Sequence, residues 1–222
     1  MKTNEEYKND ALASLSGNWT PAVLASIVYM LVLVVVSGSS RGTSMVTHNV
    51  GAIVGSSSFS LLLAILIGEP LRLGYDLSFL RLLDSRDNNI LSNLTGYATT
   101  NYTKKVLTLL LKSIYVFLWS LLLVIPGIIK AFSYALVPYI ISENPNLSPE
   151  EAISQSSKMM EGHRLDLFIL YLSFIGWFIL AVLTAGIGFL WLCPYISAAK
   201  ASFYLDIKNE YNLAHPQVII SE

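Results

Sequence analysis

Long uncharged apolar stretches alternate with short polar segments along most of the chain. Because a membrane-spanning helix needs about 20 predominantly apolar residues, this pattern predicts a polytopic, all-α transmembrane helix bundle with six spans. The predicted spans cover about 20–37, 52–69, 106–125, 128–142, 165–184 and 187–206. They are arranged as hairpins in a single domain over residues 1–206, and a polar cytoplasmic tail follows at 207–222.

Local signals place several of the predicted helix ends. Thr20 is a predicted N-cap, with Pro21 in the first helical position and Trp19 at the membrane interface. Glu69-Pro70 interrupts the second span, so we expect a kinked helix whose later half lies along the inner membrane surface. Pro126-Gly127 is expected to separate the third span from the fourth.

Two further segments have clear boundary signals. The uncharged run 167–199 is too long for one straight span across a hydrocarbon core of about 30 Å, so a turn is expected at Thr184-Ala-Gly-Ile-Gly188. Ser148-Pro-Glu-Glu151 is a capping box that predicts a cytoplasmic amphipathic helix over 149–161. We expect its narrow apolar stripe to pack against the bundle or the membrane surface. The stripe comprises Ala152, Ile153, Ser156, Met159 and Met160.

The composition supports a membrane protein. Of the 222 residues, 54% are hydrophobic and only 13% are charged, whereas soluble domains carry about 25% charged residues. Nine Phe, 12 Tyr and four Trp argue against disorder. The net charge of −1 gives no attraction to nucleic acid, and the single Cys193 lies in an apolar stretch where it is expected to be an inert core residue.

The basic residues predict the orientation in the membrane. An even number of spans places both termini on one side, and cytoplasmic segments are enriched in Lys and Arg. The terminal side would hold Lys2, Lys8, Arg72, Arg81, Arg86, Lys104, Lys105, Lys158, Arg164, Lys200 and Lys208, against only Arg41 and Lys130 on the other side. Both termini and the 149–161 helix are therefore expected to face the cytoplasm.

Two predicted hairpins share a short pattern. Val137-Pro138-Tyr139-Ile140 follows Pro126-Gly127, and Cys193-Pro194-Tyr195-Ile196 follows Gly186-Ile-Gly188. One interpretation is a duplicated hairpin whose second helix is softened by proline, as in transporters that gate at broken helices. The other is that proline is simply tolerated in membrane helices.

Several short motifs carry a family resemblance. They include Gly17-Asn18-Trp19, Ile125-Pro126-Gly127-Ile128, Met160-Glu-Gly-His163, Leu172-Ser-Phe-Ile-Gly-Trp177 and Leu190-Trp191-Leu192. With these motifs the chain resembles the bacterial integral-membrane family known as domain of unknown function 975, over nearly its whole length. The resemblance implies a bacterial plasma-membrane protein but no established activity. A remoter likeness to membrane domains attached to some glycerophosphodiester phosphodiesterases hints at lipid-related work.

Charged residues within or beside the predicted spans are the best candidates for a functional site. Glu69, Arg72 and Asp76 share one helix face, and they form either the end of an ion path or a salt-bridge cluster that fixes the kink. Lys112 and Lys200 lie near the cytoplasmic ends of their spans, within reach of the surface. We expect one of these lysines to turn inward and pair with Glu69 or Asp76.

Other chemistry is sparse in the sequence. Lys158, His163 and Arg164 form a small basic patch that suits lipid phosphates, or equally a solvated helix end. No metal-ligand spacing, phosphate loop or hydrolase motif is present, so neither a metal, another cofactor nor an enzymatic activity is expected. Small-residue spacings such as Gly51-x-x-x-Gly55 favour close helix packing within one chain, with a homo-oligomer as the alternative.

Two functions follow from these patterns. The first is a non-enzymatic scaffold, lipid-binding or regulatory module whose partners are the lipid bilayer and a second copy or another membrane protein, but not nucleic acid. The second is a small transporter or channel that moves at the two Pro-Tyr hairpins. A polar-lined cavity that reaches the middle of the membrane between the hairpins would favour the transporter, whereas an interior that is packed shut there would favour the scaffold.

Overall fold

The computed structural model of the protein describes residues 1–46, 67–99 and 101–215. All regular structure in these ranges is helical, so the predicted all-α class is confirmed. The helices, in chain order, are α1 (Asn4–Leu15), α2 (Trp19–Val46), α3 (Glu69–Asp84), α4 (Ile90–Thr99), α5 (Tyr102–Leu122), α6 (Val124–Ser133), α7 (Val137–Glu143), α8 (Pro149–Met159), α9 (Arg164–Leu172), α10 (Ile175–Leu183) and α11 (Phe189–Ala214).

Helix α3 lies at the centre of the bundle. It packs against α1, α2, α4, α5, α7 and α11, and its side chains from Leu73 to Leu80 are buried. This corrects the expectation that the residues after Pro70 lie along the membrane surface. The reason is that Leu, Tyr and Phe occur on all sides of this helix, so each side can pack against a neighbouring helix.

Fewer helices qualify as membrane spans than the sequence predicts. In the described ranges, Ile125–Glu143 and Arg164–Leu183 are long and apolar enough to cross a bilayer. A third span is obtained if Asn4–Leu15 and Trp19–Val34, which meet at 99°, count as one bent segment. The predicted count of six spans is therefore not confirmed.

Two of the predicted spans correspond to helices that carry several charged side chains. Helix α5, in place of the predicted span 106–125, begins with Lys104 and Lys105 and carries Lys112. Helix α11, in place of the predicted span 187–206, extends to Ala214 and carries several charged side chains in its second half. The predicted span 52–69 lies almost entirely outside the described residues.

The helix break near Pro126 falls earlier than expected. Leu123 adopts an extended conformation between α5 and α6, with φ −160° and ψ 141°, so Pro126 and Gly127 lie in the first turn of α6. A proline is tolerated there because the first amide groups of a helix have no partner within the helix. Gly127 packs closely against Ser120, and a Cβ atom at this position would collide with it.

The other two boundary predictions agree with the structure. The capping box of α8 is complete, because Ser148 Oγ accepts from Glu151 N at 3.2 Å and Glu151 Oε2 accepts from Ser148 N at 2.7 Å. The turn between α10 and α11 spans 184–188, with Ala185 and Gly186 at positive φ. At the start of α2, by contrast, the helix begins at Trp19, one residue before the predicted N-cap Thr20.

Helix α8 packs against the bundle through the predicted stripe, all of whose residues are buried. Ser156 lies at the contact with the break between α6 and α7. Its hydroxyl donates to Ser133 O at 2.8 Å and accepts from Leu136 N at 3.3 Å. One side chain therefore satisfies two backbone groups that the helix break leaves without helical partners.

We expect Ser156→Ala to lower the free energy of unfolding by about 1–3 kcal/mol, because it leaves two buried backbone groups without partners. Ser157→Ala is the matched control, since this half-buried neighbour is expected to change stability by less than about 0.5 kcal/mol. Equilibrium unfolding in detergent micelles measures both variants. Equal effects of the two substitutions would contradict the bridging role of Ser156.

Helix α1 was not predicted. Thr3 and Glu6 form a capping box, and Tyr7, Ala11 and Leu15 are buried at successive i, i+4 positions. Two polar bonds hold α1 against α11: Tyr7 Oη donates to Asp206 Oδ2, and Ser202 Oγ donates to Asp10 Oδ2, both at 2.6 Å. The Thr-x-x-Glu motif, together with the apolar spacing, was the signal that would have revealed this helix.

Candidate functional site

The structure brings the five charged residues of the sequence analysis together at the centre of the bundle. Glu69, Arg72 and Asp76 lie on α3, Lys112 on α5 and Lys200 on α11. Four of them line one cavity, and Asp76 lines a smaller adjacent cavity that shares these four residues. Asp76 and Lys200 are buried, Glu69 and Lys112 are half-buried, and Arg72, which lines the cavity, is exposed.

Asp76 and Lys200 form a buried ion pair. Lys200 Nζ lies 3.1 Å from Asp76 Oδ2, and both side chains are only 10% exposed. Ser197 Oγ donates to the second carboxylate oxygen, Asp76 Oδ1, at 3.1 Å. The ammonium group also lies 5.1 Å from the centre of the Tyr139 ring. One of the two span lysines therefore does pair with one of the two carboxylates considered in the sequence analysis.

A cavity of about 520 Å³ opens beside this pair, and we call it the charged pocket. Its lining residues come from α3 and from two hairpins: most belong to the first, α5–α7, and Tyr171 and Lys200 belong to the second, α9–α11. Its polar lining consists of Glu69, Arg72, Lys112, Ser113, Ser120, Tyr171 and Lys200. Its volume lies within the range of about 300–1,000 Å³ that is typical of small-molecule sites.

Two cations of the charged pocket have no direct partner in the part of the chain that the structure describes. Among the described residues, no hydrogen bond or ion pair joins Arg72 or Lys112 to another side chain. Glu69, the remaining carboxylate of the lining, likewise makes no direct ion pair there. Because Asp76 and Lys200 satisfy each other, the pocket presents two unpaired positive groups and one unpaired negative group.

A second cavity lies directly behind the charged pocket. Its volume is about 30 Å³, and it shares Glu69, Arg72, Lys112 and Lys200 with the larger one. Asp76 and Pro138 form part of its wall. A space of this size with several polar neighbours is large enough for about one water molecule. The polar lining therefore extends from the charged pocket to the Asp76–Lys200 ion pair.

The surface around the charged pocket is apolar. Large hydrophobic side chains on α5, α6 and α9 are exposed beside it. Phe117 is 66% exposed, Phe168 is 43% exposed and Ile128 is 50% exposed. Contiguous exposed apolar patches are typical of membrane or protein contact sites.

The family of the chain is shown by two matches to one family model. The model, described as "Protein of unknown function (DUF975)", matches residues 1–136 and 121–211, which together include almost the whole chain. The chain belongs to the DUF975 family. No curated protein and no solved structure matches it.

The predicted hinge residues of this DUF975 chain occupy unequal positions. Pro138 and Tyr139 lie in the first turn of α7, after a break at 134–136. Pro194 lies inside the continuous helix α11, and the Tyr195 ring packs against Phe174 with centroids 5.0 Å apart. Because one proline begins a helix and the other interrupts its hydrogen bonding, the two Pro-Tyr motifs are not structurally equivalent.

The turn residues also differ between the hairpins. Gly186 has φ +88°, which glycine adopts without strain. A Cβ at Gly188 would contact Ala181, so this glycine permits close packing of α10 on α11. In the first hairpin the turn is at Leu123 rather than at Pro126-Gly127.

The predicted basic patch contains acidic neighbours. His163 Nδ1 lies 3.4 Å from Asp166 Oδ2, and His163 Nε2 lies 3.3 Å from Glu210 Oε1. Lys158 is exposed at the end of α8, and Arg164 Nε is buried without a hydrogen-bond partner in the described residues. The carboxylates offset much of the positive charge that would attract a lipid phosphate.

Several lining residues were missed in the sequence analysis. Ser113 and Ser120 lie seven positions apart on α5, on the side that also presents Lys112. Three polar residues on one side of an otherwise apolar helix are the sequence signal that could have identified this part of the lining. Tyr171 and Ser197 had no comparable sequence signal, because their roles depend on how α9 and α11 pack. In the described ranges, no group of three His, Cys, Asp or Glu side chains is placed to hold a metal ion.

Tyr139→Phe is expected to raise the free energy of unfolding by about 1 kcal/mol, because the Tyr139 hydroxyl is buried with no hydrogen-bond partner in the described residues. The ring would keep its stacking on Tyr204, at 4.7 Å between centroids, and its contact with Lys200. Tyr204→Phe is the contrasting variant and should be destabilising, since the Tyr204 hydroxyl donates to Glu143 at 2.6 Å. Thermal unfolding of both variants measures whether the two substitutions change stability in opposite directions.

Proposed function

We propose that the protein is a non-enzymatic, polytopic membrane protein that binds an anionic ligand in the charged pocket and acts as a lipid-binding or regulatory module. The observation that carries this proposal is that Arg72 and Lys112 line the pocket without an ion pair in the described residues. Lys112 is half-buried, and a charge removed from water without a partner is unfavourable. An anionic ligand would provide the missing partner, and arginine binds phosphate with two parallel hydrogen bonds.

The membrane setting of the proposal has independent support. The chain is poor in charge, and two or three of its helical segments suit a bilayer. The exposed apolar side chains beside the pocket would contact lipid tails. We place the protein in a bacterial plasma membrane with six spans and both termini in the cytoplasm, because of the family resemblance and the distribution of Lys and Arg.

Lipid retention tests the proposal. The protein, purified in detergent and incubated with equal amounts of an anionic and a zwitterionic phospholipid, is analysed by native mass spectrometry. We expect the wild type to retain the anionic lipid, and the Arg72→Gln/Lys112→Gln variant to lose about tenfold in affinity, the equivalent of one strong charge-assisted contact.

Lys158→Gln is the matched control, because Lys158 is an exposed cation of the basic patch outside the charged pocket. It should retain the anionic lipid like the wild type. Loss of retention with Lys158→Gln alone would move the binding site to the basic patch. Equal retention of both lipids by all variants would overturn the proposal.

A second function is supported by one observation. The charged pocket is an open, polar-lined cavity to which both hairpins contribute residues, which supports a transporter. An anion carrier would use the same cations to bind its substrate. Uptake of radiolabelled inorganic phosphate or glycerol 3-phosphate into proteoliposomes, lost in Arg72→Gln/Lys112→Gln, would establish transport. Lipid retention without uptake would favour the binding module.

A further inference from the structure

Charge balance in the charged pocket narrows the class of ligand, and this step depends on the function proposed above. The lining and the adjacent Asp76 comprise three cations and two carboxylates. Because Lys200 and Asp76 neutralise each other at 3.1 Å, the groups left to face a ligand are Arg72, Lys112 and Glu69. With Lys112 protonated, the charges of these three groups sum to one positive charge, so a ligand with one negative charge balances the pocket.

The common phospholipid headgroups differ in net charge, so the charge balance of the pocket distinguishes between them. A phosphodiester that carries an uncharged alcohol has one negative charge. A phosphate monoester carries about −1.5 to −2 near neutral pH, which would leave uncompensated negative charge beside Glu69. A phosphodiester with an ammonium group is neutral overall, which would leave one protein cation without a partner.

The uncharged part of the lining suits hydroxyl groups. Ser113, Ser120 and Tyr171 place three hydroxyls around the cavity. Ser120 Oγ already donates to Val116 O at 2.8 Å, so its oxygen remains available as an acceptor. Glu69 is an acceptor without a direct partner in the described part of the chain. Acceptors of this kind match a headgroup that donates hydrogen bonds from hydroxyls.

The dimensions and surroundings of the pocket favour a lipid over a soluble phosphodiester. A volume of about 520 Å³ holds a headgroup but not two acyl chains. The chains would lie outside, along the exposed apolar side chains of α5 and α9, among them Phe117 and Phe168. Burial of apolar area on these helices would add affinity that a soluble headgroup cannot gain.

We propose that the charged pocket binds the headgroup of a monoanionic phospholipid with an uncharged, hydroxylated alcohol, of the phosphatidylglycerol type. In this arrangement Arg72 and Lys112 contact the phosphate, and Glu69 accepts a hydrogen bond from a headgroup hydroxyl. Glu69 thereby acts as the specificity residue, since it excludes a second negative charge.

A competition experiment tests the ligand class. Wild-type protein in detergent is offered phosphatidylglycerol, phosphatidic acid and phosphatidylethanolamine of identical acyl chains, and bound lipid is quantified by native mass spectrometry. We expect phosphatidylglycerol to be retained about tenfold better than either competitor, the effect of one charge-assisted contact. Soluble glycerophosphoglycerol, added in excess, should fail to displace it.

The variant Glu69→Gln provides the sharper test. It raises the pocket charge by one unit, so the preference is expected to shift from phosphatidylglycerol to phosphatidic acid. Glu150→Gln, an exposed acid on α8, is the matched control and should leave the preference unchanged.

The outcomes separate the two proposals. A wild-type preference for phosphatidic acid that needs Arg72 and Lys112 would overturn the ligand class while anion binding stands. A Glu69→Gln variant with the wild-type preference would overturn the role of Glu69 and with it the ligand class. Displacement by glycerophosphoglycerol would identify a soluble phosphodiester as the ligand instead of a membrane lipid. Retention that is independent of Arg72 and Lys112 would overturn both proposals.

Discussion

Asp76→Ala is expected to lower the free energy of unfolding by about 3–5 kcal/mol, the largest effect of any single substitution in the charged site. The substitution removes the partner of Lys200 and leaves a buried ammonium group without its counter-ion. The lost Coulomb attraction is only part of the effect, because the larger penalty is the burial of an uncompensated charge. Ser197 also loses its hydrogen-bond acceptor.

A double-mutant cycle tests this prediction. Asp76→Ala/Lys200→Met removes both charges and should recover at least half of the lost stability, because an apolar replacement of a buried ion pair is often close to neutral. Asp84→Ala is the matched control, since Asp84 is exposed at the end of the same helix; it should change stability by less than about 0.5 kcal/mol. If the double variant were as unstable as Asp76→Ala, the unpaired charge of Lys200 could not be the cause of the lost stability.

The convergence of charged residues was the part of the site that the sequence could predict. In a chain with long apolar stretches, the few charged side chains near those stretches must find partners or line a cavity. This argument singled out Glu69, Arg72, Asp76, Lys112 and Lys200, and the structure brings them together. It could not say which lysine pairs with which carboxylate, because that depends on the rotation of α5 and α11 about their axes.

The elements that the sequence predicted correctly are those with local determinants. The α8 cap needs only Ser148 and Glu151, three residues apart, and the turn before α11 needs small residues in one short segment. The start of α6 depends instead on contact with α5. Proline fits the first turn of a helix, so Pro126 permits a break on its N-terminal side as readily as at its own position. Close packing of Gly127 on Ser120 accompanies the earlier break at Leu123.

Composition alone does not show which apolar helices are buried in the protein and which are exposed. A window of apolar residues identifies a buried helix and a lipid-facing helix equally well, and α3 demonstrates the difference. Its apolar residues pack against other helices of the same chain, whereas the apolar side chains of α10 from Trp177 to Leu180 are exposed. Which helices face lipid is decided by tertiary packing, which is not a property of any single segment.

Gly74→Ala is expected to destabilise the protein by about 1–3 kcal/mol, the usual range for overpacking a tight helix contact. Gly74 lies in the middle of α3, where an added Cβ would collide with the backbone carbonyl of Leu94 in α4. A carbonyl in a helix cannot move without shifting its own hydrogen bond, so α3 and α4 would have to separate. Because α3 also carries Arg72 and Asp76, the same separation would displace both residues from the charged pocket.

Gly176→Ala is the matched control for Gly74→Ala. Gly176 lies in α10, and a Cβ there meets no atom within 4 Å, so the higher helix propensity of alanine should leave stability unchanged or raise it by up to about 1 kcal/mol. Thermal unfolding and anionic-lipid retention are measured for both variants. Loss of stability and retention together in Gly74→Ala alone would show that the α3–α4 contact positions the pocket. Normal retention in a destabilised Gly74→Ala variant would instead confine the role of this contact to folding.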